Sequence, residues 1–167
     1  MATRSGKGAP ADPLSTAVRM LARHPYSVAG LRRALERKFG ESPAVAEAVT
    51  RLRELGYLDD RKFALQYASY LARERGLGRE RIRRELKARR VDYRVIDSAL
   101  DGAFEDISER RLLERALEKK LRTLRPPVTP ARLHSLCQGL MRLGFRPDDI
   151  MKAVRAKPEL TKILNYE

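Results

Sequence analysis

"LRELGYLDDRKFALQYASYLARERG" spans residues 52–76 and joins the predicted end of one helix to the start of the next through a very short connection. Gly56 can end the first helix because glycine readily adopts the left-handed conformation found there. Asp59 or Asp60 can cap the second helix, whose N-terminus favours a carboxylate. We expect Tyr57 and Leu58 to pack beneath the connection as apolar anchors. The stretch therefore predicts two helices held by a rigid joint.

The joint is defined by six residues: Gly56, Tyr57, Leu58, Asp59, Asp60 and Phe63. Capping accounts for the aspartate pair, and metal binding by the pair is the weaker alternative.

Composition favours an all-α protein. Apolar residues make up 43% of the 167-residue chain, charged residues 35%, and tryptophan is absent. Leu, Ala, Arg and Glu dominate, and all four favour helices. The single cysteine excludes an internal disulfide framework and indicates a reducing, cytoplasmic environment. No apolar segment approaches the roughly 18 residues that a membrane span needs.

Apolar positions recur at intervals of about fifty residues. Leu35, Leu86 and Leu140 are 51 and 54 residues apart, and apolar residues precede each by four positions and follow each by ten and fourteen. These companions are Leu31, Ile82 and Leu136; Val45, Ile96 and Ile150; and Val49, Leu100 and Val154. Upstream, the triplets Leu14, Val18 and Leu21; Phe63, Tyr67 and Tyr70; and Leu117, Leu121 and Leu124 are also matched.

The recurrence predicts three tandem three-helix repeats that form an elongated, curved array. Repeat 1 covers residues 13–58, repeat 2 residues 59–104 and repeat 3 residues 105–157. The predicted helices are 14–23, 28–39, 43–55, 60–75, 79–90, 93–103, 106–124, 130–143 and 147–156, with caps at Ser27, Ser42, Asp92 and Thr129. Residues 1–12 are interpreted as a disordered lead-in and residues 158–167 as a C-terminal tail.

Positive charge is concentrated in residues 73–90, which hold nine cations and three acids. The binding face predicted from this segment consists of Arg73, Arg75, Arg79, Arg83, Arg84, Lys87 and Arg90. Within it, Arg79, Arg83, Lys87 and Arg90 share a stripe beside the apolar face of their helix. We expect the stripe to be exposed and to bind phosphates or acidic surfaces. The alternative is a solvated face with internal ion pairs.

Base stacking and catalysis have no evident site. Phe63, Tyr67 and Tyr70 are assigned to the apolar face, so nucleic acid would be contacted through its backbone. With two histidines and one cysteine in the chain, no catalytic, cofactor or metal site can be assembled. The net charge of +14 nevertheless favours an anionic partner.

The joint and the segment after it resemble the central signature of the RecX regulatory proteins. The matching residues are Leu55 to Asp60, Phe63-Ala64, Gly76, Ile82-Arg83 and Glu85-Leu86. "PYSVAGLRRALERKFG", residues 25–40, resembles the first-repeat helix of the same family. One departure is Arg90, which stands before Val91 where the family usually has glycine.

This resemblance implies a non-enzymatic regulator that binds RecA recombinase and its filament on single-stranded DNA and restrains its ATPase and strand exchange. A monomer without a cofactor is expected. Two other functions stay open: a sequence-nonspecific nucleic-acid-binding module without a dedicated protein partner, and a structural adaptor whose charge is incidental.

Overall fold

This computed structural model describes residues 12–164. That range contains ten α-helices joined by short connections and no strand. The helices are α1 (Pro13–Leu21), α2 (Val28–Phe39), α3 (Pro43–Glu54), α4 (Asp60–Arg73), α5 (Arg79–Ala88), α6 (Tyr93–Ala103), α7 (Glu109–Thr123), α8 (Pro130–Arg142), α9 (Pro147–Arg155) and α10 (Pro158–Leu164). The all-α prediction is confirmed. None of these helices is long and apolar enough to cross a membrane.

Most helix starts follow the predicted capping chemistry. The side chains of Ser27, Asp92 and Thr129 accept hydrogen bonds from backbone amides of α2, α6 and α8. Each satisfies one of the amides that a helix N-terminus leaves without an intrahelical partner. The prediction for Ser42 is wrong, because its hydroxyl makes no capping bond; the Val45 amide donates to its carbonyl oxygen instead.

The two ends of the described range differ from the sequence prediction. Asp12, assigned to the lead-in, caps α1 by accepting a hydrogen bond from the Ser15 amide at 2.8 Å, and that bond lowers the pKa of Asp12. The rest of the lead-in lies outside the described residues. Within the predicted tail, residues 158–164 form α10, where Leu160 is buried. Residues 165–167 also lie outside the described range.

The chain divides into two compact units. The first contains residues 12–63 and 89–91 of the described range, and the second contains residues 64–88 and 92–164. In the first unit α1, α2 and α3 contact one another pairwise around a core that includes Ala17, Leu31, Leu35, Val45, Val49, Leu52 and Leu58. In the second unit α5 contacts α6, and α7, α8 and α9 contact one another, with α10 against α8 and α9.

Positions matched by the fifty-residue recurrence are buried in all three places where they occur. Leu35, Leu86 and Leu140 have no exposed surface. Their companions four residues before, ten after and fourteen after are buried as well. The apolar periodicity therefore identifies the core of the second and third helix of each repeat correctly.

First helices follow the predicted pattern only in part: Phe63 and Leu117 are buried, but Leu14, Val18 and Tyr70 are exposed. The buried face of α4 carries Phe63 and Leu71 together with alanines at positions 64, 68 and 72. Small side chains at i, i+4 and i+8 let a neighbouring segment approach closely, and their weak hydrophobicity hides them from a search for large apolar residues.

A close backbone contact fixes the start of α5. The Gly78 amide donates to the Leu143 carbonyl oxygen at 2.9 Å, and the Glu80 amide donates to the Gly144 carbonyl oxygen at 3.2 Å. A Cβ on Gly144 would lie 2.3 Å from the Arg81 nitrogen, and one on Gly78 would lie 2.5 Å from the Gly144 oxygen. The two backbones can approach this closely because both positions are glycine and carry no Cβ.

Replacing Gly144 by alanine should lower the free energy of unfolding by at least about 2 kcal/mol, because a positive φ and a steric clash are both introduced. Gly144 has a φ of 96°. Gly40→Ala is the matched control, since Gly40 has a φ of 75° and no atom within 4 Å of an added Cβ. It should cost about 1 kcal/mol. Urea unfolding followed by circular dichroism measures both values, and equal losses would show that the close contact contributes nothing.

Candidate functional site

The joint is a tight turn closed by backbone hydrogen bonds and by a side-chain cap. Gly56 adopts a φ of 76°, and the amides of Tyr57 and Leu58 both donate to the Leu52 carbonyl oxygen, at 2.9 and 3.2 Å. The Asp59 carboxylate accepts from the Arg61 and Lys62 amides at 2.8 and 3.2 Å, so Asp59 is the residue that caps α4. These bonds close the connection without additional residues.

Asp60 caps a different helix. Its Oδ1 accepts a hydrogen bond from the Val28 amide at the first position of α2, at 2.8 Å. The same arrangement recurs in the second unit, where Oε1 of Glu109, the first residue of α7, accepts from the Arg79 amide at the start of α5, also at 2.8 Å. In both places a carboxylate on the first residue of one helix caps the helix two elements earlier in the chain.

Ser27 links α2 to the segment after α5. Its hydroxyl accepts from the Gly30 amide at 3.0 Å and donates to the Arg89 carbonyl oxygen at 2.8 Å, and the side chain is buried. The neighbouring Arg90 adopts a φ of 56°. This is a left-handed conformation that favours glycine, which explains the glycine expected by resemblance at this position.

The three large apolar or aromatic residues of the joint lie in two different environments. Leu58 is buried, and Phe63 is buried one turn into α4. Tyr57 is 69% exposed, so the prediction that it packs beneath the connection is wrong. Leu58 packs into the core of the first unit, whereas Tyr57 beside it faces solvent.

Arg79 is engaged within the second unit. Its guanidinium lies 3.0 Å from the Asp101 carboxylate and 3.5 Å from that of Glu109, and it stacks over the Phe104 ring at 4.7 Å from the centroid. Arg83 pairs with Asp97 and lies 3.9 Å from Glu80. The sequence predicts an exposed stripe, but Arg79 and Arg83 are half-buried and face carboxylates of α6 and α7.

The other members of the predicted face are exposed. Arg73 and Arg75 lie at and just beyond the end of α4, Arg84 and Lys87 lie on α5, and Arg90 follows α5. None of the five forms an ion pair with a carboxylate in residues 12–164. The structure thus separates the seven cations into two engaged residues and five available ones.

Sequence reasoning missed two groups of surface residues. Tyr57, Tyr70 and Tyr93 are all at least half exposed, so aromatic side chains are available on the surface. Arg115 and Lys119 of α7 lie beside Arg73 and Arg75 around one cavity. No local signal in the sequence reveals this, because the four cations come from two separated segments. Over the described range, no cluster of three or more His, Cys, Asp or Glu residues is placed to hold a metal ion.

Known proteins resemble this chain in sequence and in fold. Residues 59–100 match the family model described as RecX, second three-helix domain. Regulatory protein RecX of Chlorobaculum tepidum is 34% identical over 150 residues, which cover 89% of this chain and 90% of that protein. Regulatory protein RecX of Thermobifida fusca is 30% identical over 161 residues, covering 92% and 85%. The crystal structure of RecX from Lactobacillus salivarius shares the fold, with a TM-score of 0.73 and 17% identity over 86% of this chain and 93% of that one.

The two aspartates of the joint should contribute separately to stability. Asp59→Ala removes the cap of α4, and Asp60→Ala removes the hydrogen bond to the first amide of α2, where Ser27 still caps Gly30; each should lower the free energy of unfolding by about 1 kcal/mol. The double variant should lose about 2 kcal/mol, because the two bonds serve different helices. Asp60→Asn keeps an acceptor oxygen and should lose less than Asp60→Ala. A double variant no worse than either single one would contradict two independent caps.

Arg79 and Lys87 should behave differently on truncation. Arg79→Ala removes two ion pairs and a cation–π contact and should destabilise the protein by about 1 kcal/mol. Lys87→Ala is the control, since Lys87 is exposed and has no ion pair in the described range; its effect should stay within about 0.5 kcal/mol. Thermal unfolding of both variants measures the difference. Two indistinguishable melting curves would mean that the Arg79 contacts are too weak to matter.

Proposed function

The chain belongs to the RecX family of regulatory proteins, and we propose on that basis that it regulates RecA recombinase. In this proposal it binds the RecA filament on single-stranded DNA and lowers ATP hydrolysis, strand exchange and filament growth. The process it serves is recombination and DNA repair.

The observation that carries the proposal is the family match over residues 59–100. These residues form the end of the joint, helices α4 and α5 and most of α6, and they include all seven cations of the predicted face, five of them without an ion pair within residues 12–164. The same stretch therefore contains the family signature and exposed cations available to a partner. Similarity over most of the chain to two RecX regulatory proteins supports the same conclusion.

Exposed cations on α5 can contact either component of a nucleoprotein filament, the carboxylates of the protein or the phosphates of the DNA. Arg84 and Lys87 lie on the solvent side of the helix, opposite the buried Ile82 and Leu86. Arginine can hold a carboxylate or phosphate through two parallel hydrogen bonds, and lysine supplies a compact charge. Attraction between such cations and an anionic filament would speed association and weaken as salt rises.

Several further properties belong to the proposal. The protein acts as a monomer in the cytoplasm, has no catalytic activity of its own and uses no cofactor. Its repeats cover residues 13–58, 59–104 and 105–157. Regulation then results from occupying the filament, which changes subunit exchange or blocks the incoming duplex.

The proposal predicts inhibition of ATP turnover by RecA on single-stranded DNA. Charge reversal at Arg84 and Lys87 together should raise the protein concentration needed for half-inhibition about tenfold, equivalent to about 1.4 kcal/mol of lost binding. The matched control is Arg33→Glu with Arg37→Glu, which makes the same charge change on two exposed residues of α2. Inhibition that falls equally in both variants would show that net charge alone drives binding. An absence of any wild-type effect on ATP turnover would contradict the proposed function.

A second candidate is a sequence-nonspecific nucleic-acid-binding module, favoured by the net charge of +14. Binding should be compared for the filament, for RecA alone and for DNA alone. The regulatory proposal expects the filament to bind most tightly. Equal affinity for naked DNA and filament, with unchanged ATP turnover, would favour the second candidate.

A further inference from the structure

A groove lies in the second unit between the end of α4, helix α7 and the end of α8. It consists of two cavities of about 560 and 490 Å³ that share Arg75, Lys120 and Leu143. Because these three residues line both cavities, the two cavities adjoin and together make up the groove. We call it the α4–α7–α8 groove.

Cations without carboxylate partners line this groove. They are Arg73, Arg75, Arg115, Lys119, Lys120 and Arg142. In residues 12–164 none of the six forms an ion pair. Two carboxylates also line it, Glu74 and Glu85, and Glu85 pairs with Arg81 at 2.9 Å. Positive charge therefore prevails along the whole groove, in contrast to α5, where Arg79 and Arg83 are neutralised.

A glycine of α8 leaves space in the groove for the Lys120 side chain. A Cβ on Gly139 of α8 would lie 2.7 Å from Nζ and 3.0 Å from Cε of Lys120, so the lysine side chain crosses α8 where that helix has no side chain. Glycine within a helix costs roughly 0.5–1 kcal/mol relative to alanine. Here it leaves room for the half-buried Lys120, which forms no ion pair within residues 12–164.

The lining matches a polyanionic chain better than a folded protein surface. Cores of protein interfaces are depleted in charged residues other than arginine and rely on apolar and aromatic contacts, whereas this groove also presents Lys119 and Lys120. Grooves that bind single strands combine a row of cations with sequence-independent contacts to the backbone. Leu112 and Leu143 line the groove together with its cations, so a single strand can place its phosphates against the cations and its apolar parts against the leucines.

We propose that the α4–α7–α8 groove binds the sugar–phosphate backbone of single-stranded nucleic acid without reading base sequence. This site goes beyond the proposed regulatory function, because it needs no recombinase and uses residues of α7 and α8 outside the predicted face. Its test therefore omits recombinase, and its failure leaves the ATP-turnover experiment unaffected.

The test measures binding of the full chain to a fluorescein-labelled oligothymidylate by fluorescence anisotropy. The triple variant Arg115→Glu, Lys119→Glu and Arg142→Glu should bind at least about tenfold more weakly, since attraction to phosphates becomes repulsion. The matched control, Arg33→Glu, Arg37→Glu and Arg53→Glu, makes the same charge change on exposed residues of α2 and α3. It should lose no more than about threefold by general electrostatics.

An alanine version of the groove variant keeps the test valid if the glutamate version fails to fold. Each lost phosphate contact lowers the salt slope by about 0.7 on single strands, so three should lower it by about 2. An unchanged slope, or equal losses in groove and control variants, would overturn the proposal. So would displacement of the oligonucleotide by poly-glutamate at equal charge, which would indicate an acidic protein partner, or tighter binding of a duplex than of a single strand.

Discussion

Carboxylates that cap a helix other than their own fix the arrangement of this fold. A helix N-terminus leaves backbone amides without intrahelical partners and carries a partial positive charge. Asp60 satisfies this need for α2, and Glu109 satisfies it for α5. Since each carboxylate occupies the first position of a later helix, its bond sets where that later helix begins relative to the earlier one. The same constraint appears in both compact units.

This constraint explains why the joint needs two adjacent aspartates. Asp59 closes the N-terminus of its own helix, and Asp60 reaches back to α2. At the start of α5, two backbone bonds with Leu143 and Gly144 accompany the Glu109 cap. With the helix held in this orientation, the Arg79 side chain lies against Asp101, Glu109 and Phe104. Its role in cohesion thus follows from how α5 is anchored.

Sequence alone predicts the second and third helices of each repeat well, because large residues such as Leu35, Leu86 and Leu140 recur there and are fully buried. It succeeds only in part for the first helices, where Phe63 and Leu117 are buried but Leu14, Val18 and Tyr70 are exposed. Tyr70 resembles a core residue by spacing, yet α4 packs through Ala64, Ala68 and Ala72, whose small size carries little periodic signal. The caps from Asp60 and Glu109 are equally hidden, since they join residues about thirty positions apart that only the folded chain brings together.

Because folding brings distant residues together, the net charge of a sequence segment does not predict the net charge of the surface on which it lies. Residues 73–90 have an excess of six cations in sequence, but Asp97, Asp101 and Glu109, all outside that segment, neutralise Arg79 and Arg83. Arg115 and Arg142, which lie outside residues 73–90, meet Arg73 and Arg75 only through packing. A site for an anion requires cations that have no other partner and that converge on one space. Because folding decides both conditions, the strongest basic run in a sequence need not be the strongest basic surface of the protein.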